Sequence, residues 1–193
     1  MRRQIAAASC VAVLGLTIIS SLAIAQQKTA RAPLDRQVYS SIKELMDSIV
    51  DPSADVLWGA AGTVIDKAEG VRELTPKTPE AWLDVRRAAV RMIEAGNLLM
   101  MPGRQAAPAG TKSDTPGVEL EPAQITALIR KNRKSFDAFA KALQEAGLEA
   151  LRASDAKNAD LLMDAGARME NVCESCHQTF WYPPAGGPQP GGQ

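Results

Sequence analysis

Histidine is almost absent from this 193-residue chain, which contains only His177, and cysteine is scarce, with Cys10, Cys173 and Cys176. A structural zinc site needs about four ligands, commonly cysteines and histidines from two separated clusters. Because the chain has one such cluster, we expect no zinc site. The sequence also shows no pattern of acids, bases and nucleophiles that indicates a catalytic pocket, and we therefore expect that the protein is not an enzyme.

The chain also lacks an excess of either charge, since 22 basic residues balance 22 acidic ones. Nucleic-acid-binding proteins normally carry a basic excess, so we expect no nucleic-acid partner. Aromatic residues make up only 4% of the chain, and long runs of Val, Ile and Thr are absent. Alanine is abundant instead, and this composition favours an all-α fold.

The first 25 residues have the pattern of a secretory signal peptide. Two arginines precede an apolar run from Ile5 to Ala25, and small residues at Ala23 and Ala25 suit a cleavage site. Cleavage would remove Cys10 and both arginines, leaving 20 basic and 22 acidic residues and a net charge near −2. We therefore expect a periplasmic protein. The run is also about 20 residues long, enough to span a bilayer, so membrane attachment is expected only if the segment is uncleaved.

Three regions are predicted after the signal peptide. Residues 26–37 are polar and are expected to form a flexible leader. Residues 38–182 carry the amphipathic pattern of one helical domain, and residues 183–193 form a Gly- and Pro-rich tail that is expected to be disordered.

The first predicted helix begins at Val38, and its apolar residues recur at steps of three and four as far as Val50. Asp51 and Pro52 are expected to break it, because aspartate is a good helix cap and proline fits the first position of a new helix. Glycines interrupt the following stretch. Residues 63–74 are therefore predicted to be irregular or to form a small hairpin.

The second predicted helix begins at Thr78, which can cap it, with Pro79 at its first position. Pro102 and Gly103 are expected to end it. From Pro102 to Pro122 the chain is rich in Pro, Gly, Ser and Thr, which predicts a long surface loop.

A third helix is predicted from Pro122 and continues to about Leu151. A fourth is expected to begin at a cap formed by Ser154 and Asp155 and to stop before Pro183. Four amphipathic helices with one apolar face each are typical of an antiparallel four-helix bundle.

The fourth predicted helix carries a CxxCH motif, Cys173-Glu174-Ser175-Cys176-His177. On a helix, Cys173, Cys176 and His177 project to overlapping sides. Two thiols at this spacing can add to the vinyl groups of one haem, and the next imidazole can bind its iron. The motif therefore predicts one covalently attached haem c per chain, with His177 as the proximal iron ligand.

Two other uses of the cysteine pair remain. A redox-active dithiol usually lies at a helix N-terminus, where the helix dipole lowers the thiol pKa, whereas this pair lies near the end of a helix. The alternative is a haem-free helical interaction module held by a disulfide between Cys173 and Cys176.

An exported four-helix bundle with CxxCH on its last helix and an aromatic residue, Phe180, three residues later resembles the class II cytochromes c, the cytochrome c′ family. The resemblance covers most of the chain after the signal peptide in helix order, and only the haem motif is specific. It implies a haem inside the bundle and homodimers in many members. Trp181 stands where members often carry a basic residue, so a basic contact to the haem edge is not predicted there.

The resemblance also implies a distal position on the first helix, which Met46 matches. Low-spin members fill this position with methionine, so Met46 is the candidate distal iron ligand, with Met100 and Met101 as fallback candidates. A methionine in an apolar stripe can also simply fill space. The sequence therefore predicts a mono-haem cytochrome that transfers single electrons between redox partner proteins. The alternative is a five-coordinate haem protein that binds NO or CO, with Met46 as a wall of its pocket.

A basic run from Arg130 to Lys134 lies on the third predicted helix. It is interpreted as a solvated helix face. The alternative is a patch that steers an acidic redox partner, because complementary charges raise encounter rates.

Overall fold

The computed structural model of the chain describes residues 37–68 and 70–182. The predicted signal peptide, nearly all of the leader and the predicted tail lie outside these residues. The described part is mostly helical and contains one two-stranded sheet. Its elements are α1 (Ile42–Leu45), a π-helix (Met46–Val50), α2 (Asp51–Ala60), β1 (Gly62–Asp66), β2 (Gly70–Leu74), α3 (Pro79–Leu99), α4 (Pro122–Lys131), α5 (Arg133–Asp155) and α6 (Ala159–Phe180).

The first helix begins at Ile42 rather than at Val38. The hydroxyl of Ser41 accepts a hydrogen bond from the N–H of Glu44 at 3.2 Å, and the Glu44 carboxylate accepts one from the N–H of Ser41 at 2.7 Å. This capping box satisfies backbone N–H groups that otherwise lack partners at a helix start. Apolar spacing alone cannot locate such a cap.

The predicted break at Asp51 and Pro52 was wrong. Val50 and Asp51 keep right-handed helical torsion angles, with φ of −71° and −59°, so α1, the π-helix and α2 follow one another without interruption. The N–H of Asp51 donates to the carbonyl of Met46, five residues back. A proline ring collides with the carbonyl four residues earlier in an α-helix, and the wider π turn relieves this clash.

Residues 62–74 form the predicted hairpin rather than an irregular stretch. β1 and β2 pair in antiparallel fashion, with Ile65 opposite Val71 and Thr63 opposite Glu73. The side chains of Ile65 and Val71 are 80% and 69% exposed. The hairpin is therefore a small, exposed addition to the helical fold.

The predicted start of the second helix is confirmed. Thr78 accepts a hydrogen bond from the N–H of Ala81 at 3.1 Å, and Pro79 opens α3. The helix ends at Leu99 with Met100 as its C-terminal cap, just before Pro102.

The predicted loop from Pro102 contains no helix before α4 begins at Pro122, but it is only partly a surface loop. Ala106 and Ala107 are buried, and the carbonyls of Gln105 and Ala106 accept hydrogen bonds, each 2.9 Å long, from the N–H groups of Ile42 and Lys43. The first N–H groups of α1 need acceptors outside their own helix, and this segment supplies them. The prediction missed this packing because α1 is distant from the segment in the sequence.

A buried arginine holds the same segment. Arg104 is 7% exposed, and its guanidinium donates hydrogen bonds to the carbonyls of Ser40 and Leu98 and to the Ser40 hydroxyl. Arg104 therefore links this segment both to the residues before α1 and to the end of α3.

The third predicted helix is divided at Asn132. This residue leaves the helical region, with φ −116° and ψ 39°, and its side-chain amide donates to the carbonyl of Leu128 at 3.1 Å. Asparagine competes in this way for backbone acceptors, and α4 therefore ends there. The predicted cap at Ser154 and Asp155 was also wrong, because both residues belong to α5 and Asn158 caps α6 through the N–H of Leu161 at 3.0 Å.

The long helices surround an apolar core. α5 packs against α3 and α6, and α2 packs against α3 and α6. Small residues at these contacts bring helices close together, and the largest fully buried side chains include Phe180, Met92, Leu162 and Met169.

Candidate functional site

The C-terminal half of α6 carries the three residues of the CxxCH motif in regular helical conformation. Cys173, Cys176 and His177 are half-buried, and both thiols are free. All three line one cavity of about 110 Å³ between α6, α2, α5 and the π-helix. The structure thus places the whole motif on the wall of a single cavity.

Met46, the predicted distal residue, lines the same cavity from the π-helix. The rest of the wall is almost entirely apolar; its residues include Val50, Ala54, Trp58, Phe136, Phe139 and Leu143. Met100 and Met101, the fallback candidates, line a separate surface depression beside Asn97 and Leu98. Among these three methionines, the structure therefore brings only Met46 together with the motif.

The aromatic residue after the motif belongs to the core. Phe180 is fully buried, and its ring meets Phe136 and Phe139 edge-on, with ring centroids 5.5 Å and 6.2 Å apart. Because Phe136 and Phe139 line the cavity, Phe180 supports its wall from behind. The ring of Trp181 lies 6.1 Å from that of His177.

Burial changes the acidity of the two thiols. Desolvation is the main cause, and it raises the pKa of Cys173 from 9.0 to about 11 and that of Cys176 to about 12. Reactive cysteines have the opposite property, a lowered pKa that yields thiolate near neutral pH. Both side chains are therefore neutral thiols at pH 7, which does not favour a redox-active dithiol.

Asp51 is a residue of the site that sequence reasoning missed. It lines the cavity together with His177, and desolvation by the surrounding protein, followed by repulsion from Asp47, raises its pKa, while His177 opposes the shift. The sequence indicated only a helix cap at this position. Asp51 lies seven residues before Trp58 in α2, so ordinary helical spacing places both on the face that lines the cavity.

A second, polar cavity of about 180 Å³ adjoins the first. Met46, Asp51 and His177 line both. The polar cavity adds Trp181 and Tyr182 together with five charged residues, Lys43, Asp47, Lys112, Asp114 and Glu119. The shared residues thus lie where an apolar space meets a charged one.

One ion pair crosses the polar cavity. The Lys43 ammonium lies 2.5 Å from the carboxylate of Asp114, and this hydrogen bond is the main reason that the pKa of Lys43 is raised. The pair joins α1 to the segment between α3 and α4.

The structure divides the basic run on the third predicted helix. Arg130, Lys131 and Lys134 are exposed. Arg133 is instead half-buried: it lies over the Phe136 ring at 5.6 Å, donates to the carbonyl of Met100 at 2.5 Å, and pairs with Asp137 at 2.8 Å. Arg133 therefore has contacts within the fold, which the sequence pattern did not reveal.

No protein-family model, curated protein or solved structure matches this chain. Within residues 37–68 and 70–182, each helix is too short or too polar to cross a lipid bilayer. The function is therefore inferred from the residues of the site.

Proposed function

We propose that this protein is a mono-haem c-type cytochrome that transfers single electrons. The observation that supports it is the shared cavity: Cys173, Cys176 and His177 from α6 and Met46 from the π-helix line one apolar space. A haem is a large, flat and mostly apolar group, and these four side chains are the kinds that attach it and bind its iron.

The two thiols fit covalent attachment. Addition of a thiol across a vinyl group forms one carbon–sulfur bond and transfers the thiol hydrogen to the neighbouring carbon, so the step needs no oxidant. Cys173 and Cys176 are free, lie one helical turn apart and line the apolar cavity. Attachment at two points would fix the ring against α6.

In this proposal His177 and Met46 would bind the haem iron. Bound haem would supply the one-electron couple, and ligation by histidine and methionine raises its potential. The apolar wall would exclude water from the iron and keep it in a site of low polarity. Trp58 helps to close this wall, since its indole N–H donates to the carbonyl of Gly166 in α6 at 3.1 Å.

The proposal includes the finer architecture. We propose that the helices form an antiparallel four-helix bundle of the class II cytochrome c type. Its first unit runs from α1 to α2, its second is α3, its third consists of α4 and α5, and its fourth is α6. The proposal also includes export through the N-terminal segment to the periplasm and brief docking with redox partner proteins. The shared cavity between α2, α5 and α6 supports this arrangement.

The test is expression together with a cytochrome c maturation system. The expected product carries one haem by mass under denaturing conditions and shows a low-spin spectrum. The Cys173→Ser and Cys176→Ser double variant should lose covalent haem. A parent chain without covalent haem would contradict the proposal and favour the disulfide-held helical module.

A second pair of variants tests the distal ligand. Met46→Leu should convert the iron to a high-spin form that binds carbon monoxide rapidly. Met169→Leu is the matched control, because Met169 is fully buried in α6 but does not line the cavity. A parent protein that is already high-spin would contradict methionine ligation and favour the five-coordinate protein that binds NO or CO.

A further inference from the structure

The only π-helix in the described part of the chain begins at the proposed distal ligand. It runs from Met46 to Val50, and Pro52 follows it directly in α2. The N–H of Asp51 bonds to the carbonyl of Met46 across this wider turn. An irregular turn placed at a candidate iron ligand affects the direction of that ligand's side chain.

The effect follows from helix geometry. Successive residues of an α-helix are about 100° apart around the axis. In an unbroken α-helix, Met46 would therefore lie about 80° from Ala54 and about 120° from Trp58. A π turn holds one residue more than an α turn, so it reduces each of these angles around the helix axis by about 100°. Met46 then lies about 20° from Ala54 and about 20° from Trp58.

This rotation explains how the cavity is assembled. Ala54 and Trp58 line the cavity from α2, and Met46 lines it from the start of the π-helix. The π turn therefore aligns the side chain of Met46 with the face of α2 that packs toward α6. If the same residues formed an unbroken α-helix, Met46 would point well to one side.

We propose that Pro52 is a positioning residue, which through the π turn before it directs Met46 to the iron. This inference rests on the proposed function. Pro52 has no N–H to donate, and in an α-helix its ring would collide with the carbonyl of Ser48. The wider turn avoids this clash, so proline at this position favours the π form over the α form.

A buried serine anchors the same turn. The Ser53 hydroxyl is fully buried, donates to the carbonyl of Ile49 at 2.6 Å and accepts from Nε of Arg91 in α3 at 3.0 Å. The carbonyl of Ile49, within the π-helix, thus has a side-chain donor, and that donor is itself held by α3. These bonds tie the π-helix to α3, while Pro52 determines the form of the turn.

The test compares two variants. The first is Pro52→Ala, and the second combines Pro52→Ala with deletion of Ser48, an exposed residue of the π-helix. Pro52→Ala permits an unbroken α-helix, which rotates Met46 away, so the low-spin spectrum should be lost and carbon monoxide should bind faster. Deleting Ser48 removes the extra residue. Met46 then lies seven residues from Ala54, again about 20° away, and the low-spin spectrum should return.

Pro79→Ala is the matched control, because Pro79 opens α3 and has no π turn before it. A Pro52→Ala protein with the parent's spectrum would overturn the proposal, and so would a deletion variant that fails to regain it. Haem content by mass separates the role of Pro52 from the proposed function. A parent protein that carries no covalent haem would refute the proposed function, whereas the results above refute only the role of Pro52.

Labelling the methionine methyl groups with ¹³C gives a readout that does not depend on the spectrum. Met46 lines the cavity, and in the parent chain without haem its methyl group should show a nuclear Overhauser contact with another side chain of the cavity wall. This contact should be lost in Pro52→Ala and regained after the deletion. Its persistence in Pro52→Ala would also refute a role for Pro52, even in a chain without haem.

Discussion

The backbone of Gly96 in α3 lies directly against that of Ala140 in α5, so that a Cβ atom at position 96 would come 2.8 Å from the Ala140 carbonyl oxygen. The Gln144 side chain occupies the remaining space and donates to the carbonyl of Ile93 at 3.1 Å. Gly147 of α5 is similarly close to Ile93. Glycine therefore allows α3 and α5 to approach at two levels.

Gly96→Ala is expected to destabilise the fold. The added methyl group must displace the backbone of α5, and overpacking of this kind costs about 1–3 kcal/mol. Chemical denaturation should show this loss. Gly59→Ala is the control, because a Cβ atom there meets nothing within 4 Å, and replacing a helical glycine by alanine should raise the free energy of unfolding by about 0.5–1 kcal/mol. Equal effects of the two changes would contradict the close approach.

The haem-free chain should lose stability in alkali because of its cysteines. The folded state raises the pKa of Cys173 from 9.0 to about 11 and that of Cys176 to about 12. Below about pH 9 the thiols are neutral in both states. Above about pH 9 the thiols ionise in the unfolded chain but not in the folded one. The free energy of unfolding therefore falls by up to about 1.4 kcal/mol per thiol for each pH unit, until the pH reaches the pKa of the folded state.

Thermal unfolding between about pH 8 and 11 measures this effect. The variant with serine at both positions should show a smaller decline, and the haem-attached protein should resemble that variant because thioethers do not titrate. A decline of the same size in the serine variant would assign it to other groups.

Trp58→Phe should weaken the contact between α2 and α6. The change keeps an aromatic ring on the cavity wall but removes the hydrogen bond to the carbonyl of Gly166, at a cost of about 1 kcal/mol. Denaturation of the haem-attached protein measures the loss, and its absorption spectrum should not change. Unchanged stability would mean that solvent replaces the indole as donor.

Arg104→Met should destabilise the segment between α3 and α4. The change leaves the half-buried carbonyl of Ser40 without its guanidinium donor, which costs about 1–3 kcal/mol, whereas the carbonyl of Leu98 keeps a hydrogen bond from the N–H of Met101. Arg104→Lys should recover only part of this, because an ammonium cannot reproduce the planar arrangement of donors. Hydrogen exchange of the Ile42 and Lys43 amides, which bond to this segment, should become faster in both variants.

The sequence predicted features that depend on local chemistry. The Thr78 cap, the proline that opens α3 and the end of that helix all follow from neighbouring residues, and the structure has them. The CxxCH residues were predicted to share one side of a helix, and they do line one cavity. Ser41 and Asn158 are also residue types that commonly cap helices, but the predicted starts of these two helices rested mainly on other residues.

Features that depend on distant residues could not be predicted in this way. Burial of the segment at Ala106 requires the free N–H groups of α1, far away in the sequence. Pro52 stays within a helix because the preceding turn changes form, whereas the local rule for proline indicates a break. Asp51 shares a face of α2 with Ala54 and Trp58 by helical spacing, but only the packing of α2 against distant helices makes that face a cavity wall.

The exposed hairpin also bears on the risk of edge-to-edge aggregation. No further strand among the described residues pairs with the outer edges of β1 and β2, and such edges can recruit strands from other molecules. The exposed pair of Ile65 and Val71 would add an apolar contact to any such recruitment. Charged residues at Arg72 and Glu73 lie beside this pair, and charges on an edge strand oppose stacking of chains. The hairpin thus carries both a surface for aggregation and the residues that restrain it.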